Sequence, residues 1–312
     1  MAKQAVLLLA HGTPESVDQI PEYLRNVTGG RPLPEAVVRE IQHRYTLIGH
    51  SPLTEITMEQ GRMVAAELAR TGEAVPVYVG MRNWHPYIAD VVRQMKADGV
   101  EQAAVVCLAP QNSRTSVGLY RKAVEVEAGD LKLDFTEGWA RNPLLAEAFA
   151  ERLRPALHRL SQQVGVPVPV LFTAHSVPCR TVQTPADGKS LPDTYVEDAK
   201  ATAEAVAALL PEIPRWWFAF QSQGASGGPW IGPRVEETLE SLAKEGVKSL
   251  ILQPIGFLCD HVEILYDVDR LFHEFAARLG VRLERPESLN VSRLLAQAVA
   301  GVAREALSRF SS

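Results

Sequence analysis

The chain has 312 residues, 46% of them hydrophobic, and a formal charge of −5. That length supplies a large core, organised as two domains or one large α/β unit. The acidic balance, with no Lys/Arg run beyond two residues, argues against a surface that tracks nucleic-acid phosphates.

The first apolar run, QAVLLLA at 4–10, is stopped by His11-Gly12 without a small-residue cleavage pattern, so it reads as a buried strand and not a signal peptide. Further strands are expected at 75–80, 103–109, 131–136, 168–174, 215–221, 248–254 and 281–284. Helical periodicity covers 55–70, 86–98, 143–163, 193–209, 234–245, 262–279 and 290–309. Continuous apolar strands alternating with helices mean parallel sheets covered on both faces. The expected fold is α/β, two Rossmann-like halves, each a parallel β-sheet flanked by helices, with a cleft between them. The expected boundaries are an N-terminal half at 1–140, a C-terminal half at 141–289, and a C-terminal helix at 290–312 that packs back on the N-terminal half.

The two halves carry an echo. LAHGTP at 9–14 and TAHSVP at 173–178 each end an apolar run in Ala-His, a small residue and, two positions on, a proline. Open α/β sheets bind ligands beyond the carboxyl ends of their strands, so His11 and His175 are expected to look into one shared cleft. A histidine at a strand end can also be a satisfied core residue.

The densest polar cluster is GFLCDHVEILYDVD at 256–269. On a helix Glu263 and Asp267 share a face, with Asp260 and His261 near its start. Carboxylates beside an imidazole can hold a divalent cation or relay protons, although Asp260 can equally serve as an N-cap and the carboxylates as a solvated face. Two aromatic loops, QSQGASGGPWIGP at 221–233 with Trp230 and RNWHPYI at 82–88 with Arg82, Trp84, His85 and Tyr87, could wall a flat apolar ligand. Trp230 can also be a plain packing anchor. The sequence contains no Gly-x-Gly-x-x-Gly after the first strand, no Walker loop, no Gly-x-Ser-x-Gly and no His-Glu-x-x-His. Cys107, Cys179 and Cys259 lie far apart with no C-x-x-C spacing, which excludes a disulfide framework, argues against a four-thiolate cluster and fits a reducing cytoplasm. No apolar stretch approaches the roughly 18 residues of a membrane-spanning helix.

Through GTP (12–14), RYTLIGHSPL (44–53), LAP (108–110), TAHSVP (173–178), QSQG with PWIGP (221–224, 229–233) and GFLCDHVEILYD (256–267), the chain resembles the ferrochelatases over nearly its full length. The resemblance implies a chelatase-type fold and a lyase of haem and porphyrin biosynthesis that inserts Fe²⁺ into a porphyrin, with coproporphyrin III favoured over protoporphyrin IX as in the compact bacterial members. It implies His175 and Glu263 as catalytic and metal-handling residues, Asp267 as a further acidic position, and Arg31, Arg44, Tyr45, Ser51, Tyr120 and Trp230, with His11, as porphyrin-binding positions.

Three departures stand out. His11 occupies the place of a tyrosine that reaches the metal, so an axial imidazole is expected. Thr28-Gly29 replaces an arginine pair, and Leu271 interrupts the acidic line after Asp267. No tightly bound cofactor and no iron–sulfur cluster is expected, iron being a substrate. The expected protein is a cytoplasmic monomer making transient contact with neighbouring haem-pathway enzymes. The alternatives are a cobalt or nickel chelatase acting on sirohydrochlorin, and a non-catalytic porphyrin- or haem-binding protein.

Overall fold

The structure, a computed structural model, describes residues 2–183, 193–223 and 228–311. Part of the expected aromatic loop, 224–227, lies outside the described residues.

Eight strands form: β1 (Gln4–Ala10), β2 (Val77–Met81), β3 (Gln102–Cys107), β4 (Lys132–Thr136), β5 (Val170–His175), β6 (Trp216–Gln221), β7 (Ser249–Pro254) and β8 (Arg282–Glu284). They make two four-stranded sheets with the same plan, β2-β1-β3-β4 and β6-β5-β7-β8. Every pairing between these strands is parallel. Each sheet therefore begins at an inner strand, crosses to one side, then returns to the other. That reversal creates a crevice at the carboxyl end of β1 and of β5, the position where open sheets bind ligands.

The helices are α1 (Ile20–Val27), α2 (Glu35–Ile48), α3 (Leu53–Arg70), α4 (Ile88–Ala97), α5 (Val117–Ala128), α6 (Pro143–Val164), α7 (Cys179–Val182), α8 (Tyr195–Ala208), α9 (Val235–Lys244), α10 (His273–Arg278) and α11 (Arg293–Ser308). Both faces of each inner strand are covered. Leu7 and Leu9 of β1 face the cluster under α4 and α5, whereas Val6 and Leu8 face a second cluster shared with α6 and α11. That second cluster continues into the other half through Phe149, Val170, Phe172 and Phe220, so one apolar layer joins the two sheets. The last helix, α11, lies against α3, α6 and β3.

Two helices fall where the sequence pattern assigns no element. α1 and α2 pack through Ile20, Tyr23, Leu24, Tyr45 and Trp84 into a small separate core. Only Tyr45 of α2 is buried, which explains why its pattern is weak. α5 is also unassigned by that reading, although its buried residues Val117, Tyr120, Val124 and Ala128 recur at helical spacing.

The expected helix at 262–279 takes an unexpected form. Glu263–Phe272 is π-helical and passes into α10 without a break. Ile264, Val268 and Phe272 of this segment and Ala276 of α10 recur every fourth position in one cluster, while Tyr266 is buried outside it. In an α-helix each four-residue step overshoots a full turn by about 40°, so such a stripe winds off the core. The wider turn of i→i+5 bonding reverses the sense of that drift, and all four side chains meet one cluster on the sheet.

Candidate active site

Between the carboxyl ends of the two sheets lies a cavity of about 500 Å³ whose wall draws on both halves, including His11, Thr13, Tyr45, Ser51 and Tyr120 from one and His175, Trp230, Phe257, His261 and Glu263 from the other. The lining is mainly apolar, with a few converging polar groups, which suits a large flat ligand with a reactive centre.

Local geometry places His11 and His175. β1 ends at Ala10, and Gly12 then turns the chain with φ 83°; a Cβ there would sit 2.9 Å from the Trp84 backbone nitrogen, so only glycine permits the turn. His175 is the last residue of β5, paired with Gln221 of β6. Its carbonyl accepts a 2.9 Å hydrogen bond from the Tyr195 hydroxyl, and its Nδ1 contacts the Ser176 carbonyl. With Nδ1 so engaged, Nε2 is the nitrogen that faces Glu263, at 3.5 Å from Oε2.

This pair spans β5 and the π-helical segment. Each side chain is about a third exposed, 31% for His175 and 33% for Glu263. Burial disfavours protonation of His175, but the Glu263 carboxylate outweighs it and raises the imidazole above its usual range. Burial likewise opposes ionisation of Glu263, but its pairing with His175 outweighs it and holds the carboxyl well below the usual range. Phe257 packs edge-on to His175 at 6.2 Å between ring centroids and lies 4.4 Å from His261, and Trp230 is tilted against His175 at 6.4 Å. His261 bonds through Nδ1 to the Cys259 carbonyl at 3.1 Å, and burial lowers its pKa.

On the opposing wall, His11 Nε2 is 3.0 Å from the Tyr23 hydroxyl, and the Asn83 amide lies 3.1 Å from Nε2 and 3.2 Å from Nδ1. Burial, aided by the charge of Arg82, lowers the His11 pKa to about 3, so this imidazole is neutral. Tyr45 is 2% exposed and its hydroxyl meets Thr13 Oγ1 at 2.8 Å. Ser51 is buried at the cavity with its hydroxyl unpartnered.

Other expected site residues lie elsewhere. Asp267 is 9% exposed, accepts a 2.6 Å hydrogen bond from Ser222 and a 3.2 Å ion pair from Arg44, and stands outside the cavity wall. Ser222 adopts φ 58°. Arg44 also bonds Glu40 and stacks on Tyr266 at 5.0 Å, bridging the two halves beside the cavity. Arg31 is exposed, bonds the Thr28 carbonyl at 3.2 Å and does not line the cavity. The RNWHPYI loop does not line the cavity. Trp84 is 4% exposed and packs at 6.4 Å on Tyr23 within the small α1–α2 core, because an indole buries more apolar area there than at an open rim. Asp260 is no N-cap; its carboxylate bonds Ser288 and Asn290. Among the described residues no three His, Cys, Asp or Glu side chains converge as a metal cage. The His175–Glu263 pair brings one nitrogen and one oxygen together on the cavity wall.

The sequence reading missed Tyr23, Asn83 and Tyr195, which orient the two histidines. They come from distant loops and helices, and no local spacing announces them.

Residues 3–307 match the sequence profile of the ferrochelatases. A ferrochelatase of Acidobacterium capsulatum is 57% identical, covering 99% of this chain and 96% of that protein. This chain belongs to the ferrochelatase family. The enzyme is accordingly a lyase of haem biosynthesis that inserts iron into a porphyrin. A coproporphyrin III ferrochelatase of Mycolicibacterium vanbaalenii is 35% identical, covering 96% of this chain and 88% of that protein. In three dimensions the enzyme is similar to the cobalt-bound sirohydrochlorin chelatase of Bacillus subtilis subspecies spizizenii, with a TM-score of 0.58, 11% identity and coverage of 98% and 96%; at that identity the likeness establishes the fold alone. Among the described residues no helix is long and apolar enough to cross a membrane.

Proposed function

We propose that the enzyme uses coproporphyrin III in preference to protoporphyrin IX, with His175 accepting the pyrrole protons and Glu263 supporting it. The observation that carries the proton-transfer reading is the 3.5 Å contact between His175 Nε2 and Glu263 Oε2 on the cavity wall. An imidazole backed by a carboxylate takes a proton and is stabilised as the imidazolium. An apolar cavity closed by two rigid sheets favours a bent macrocycle that exposes its nitrogens to the metal. Two protein donors, one nitrogen and one oxygen, suffice to guide Fe²⁺ without retaining it. His11 offers a neutral imidazole from the facing wall, and axial contact with iron requires its Nε2 to exchange the Tyr23 hydroxyl and the Asn83 amide for the metal.

The substrate preference draws support from the 35% identical relative named for coproporphyrin III. It also draws on donors near the cavity, the unpartnered Ser51 hydroxyl and the Arg44 guanidinium, since a four-carboxylate porphyrin gains more from such groups than a two-carboxylate one. We also read the enzyme as a cytoplasmic monomer in transient contact with its pathway neighbours, a reading that its three unpaired thiols support as regards a reducing compartment. Anaerobic Fe²⁺ insertion, followed by visible absorption, is expected to give the higher kcat/KM with coproporphyrin III. A clear preference for protoporphyrin IX overturns the assignment.

A further inference from the structure

The π-helical segment is ten residues long, whereas most π-helical backbone is a single turn inside an α-helix. Something must oppose its relaxation. Its apolar stripe accounts for the face toward the sheet, and a second attachment comes from a residue that no sequence motif singles out.

Arg285, just beyond β8, has a side chain 12% exposed. Its Nε and one terminal nitrogen bond both oxygens of Asp269 at 2.6 and 2.8 Å. The other terminal nitrogen lies 3.3 Å from Asp260 Oδ1 and bonds the Ser288 hydroxyl at 3.1 Å. One planar guanidinium thus joins the loop before the π-helical segment to a residue near its middle. Asp260 is fixed independently. Its carboxylate accepts from Ser288 at 2.6 Å and from Asn290 at 2.8 Å, and its backbone N–H donates to Asn290 Oδ1 at 2.8 Å. Asn290, at φ 43°, is tied in turn to α3 of the other half by Gln60, which donates to its carbonyl at 2.8 Å.

We propose that Arg285 is a positioning residue: by bridging Asp260 and Asp269 it keeps Glu263–Phe272 in the π-helical turn that sets Glu263 opposite His175. A π-helix is wider and shorter than an α-helix of equal residue number. Relaxation to α geometry lengthens the segment between positions 260 and 269 and rotates Glu263 relative to the sheet. A guanidinium that fixes the separation of those two carboxylates opposes both changes, and its rigid fork does so where a single flexible ammonium cannot.

The inference rests on the reading that Glu263 works with His175, and the test separates the two. Arg285→Lys keeps the charge but not the bridge, and Asp269→Asn loosens only the mid-helix attachment. Porphyrin metallation kinetics and backbone hydrogen exchange are measured on both, beside Glu263→Gln. For Arg285→Lys we expect kcat to fall roughly tenfold or more with the porphyrin KM within about twofold, and amides of 263–272 to exchange roughly tenfold faster while β5 and β7 keep their protection. Asp269→Asn is expected to shift both readouts the same way by about threefold, and it decides the matter alone if Arg285→Lys does not fold. Unchanged exchange over 263–272, or kcat within about twofold of wild type in the folded variants, overturns the proposal. Wild-type kcat in Glu263→Gln overturns instead the pairing of Glu263 with His175, while the exchange result still judges Arg285.

Discussion

Replacing Glu263 by glutamine removes one negative charge from the cavity wall with little change in shape, and the consequence can be worked from one distance. At 3.5 Å, an imidazolium and a carboxylate attract by about 5 kcal/mol at an effective dielectric constant near 20. Each side chain is a third open to the cavity, and screening there reduces the attraction to about 2–3 kcal/mol. If His175 carries a pyrrole proton in the transition state, losing that support slows the reaction roughly 10²-fold, the lower end of what positioned general acid–base groups contribute. The pH profile supplies a signed check. Glu263 raises the His175 pKa against the opposing effect of burial, and activity requires the neutral imidazole, so wild-type kcat rises with pH as that raised pKa is passed. In Glu263→Gln burial acts unopposed, the pKa falls, and the acid limb moves to lower pH. Initial rates of anaerobic iron insertion between about pH 5.5 and 8.5 measure both effects around the unperturbed histidine value. A variant with kcat within threefold of wild type, or with an acid limb moved upward, refutes the reasoning.

Two further expectations concern stability. His11 is held neutral, its pKa lowered to about 3, so between the unfolded value near 6.5 and that lowered value the unfolded chain binds the extra proton; stability should fall as pH drops through this window, and His11→Gln should show a shallower decline in denaturant titrations at pH 7 and 4.5. Phe172, fully buried in the layer that joins the two sheets and packed edge-on to Trp216 at 5.7 Å, should cost about 3–5 kcal/mol when changed to alanine; a loss under about 1 kcal/mol by urea denaturation would falsify the assignment of that layer as a rigid core.

The strands, their parallel pairing and the repeated plan of the two halves were legible in the sequence because apolar runs of strand length, each followed by a helical period, admit few other arrangements. β1 spans the expected 4–10, and the remaining strands differ from expectation at their ends. That His175 looks into a cleft was legible from its place at a strand end, and its contact with Glu263 follows from β5 ending at the sheet edge that the π-helical segment overhangs. Other features were decided only in three dimensions. Trp84 reads locally as a loop aromatic, yet α1 and α2 offer it an apolar pocket, and burial decides. Arg31 reads as a carboxylate partner, yet its own loop turns it back to Thr28. The period of four in Ile264, Val268, Phe272 and Ala276 was present in the sequence, but a helical reading absorbs it as ordinary amphipathicity. Only tertiary contacts, with the packed sheet and with Arg285, distinguish a wide turn from a narrow one. Tyr23, Asn83 and Tyr195 carry no signal at all in one dimension, because a hydrogen bond between residues far apart in the chain exists only once the chain has folded. Periodicity records which face of an element is buried, and tertiary contact alone settles which polar groups meet there.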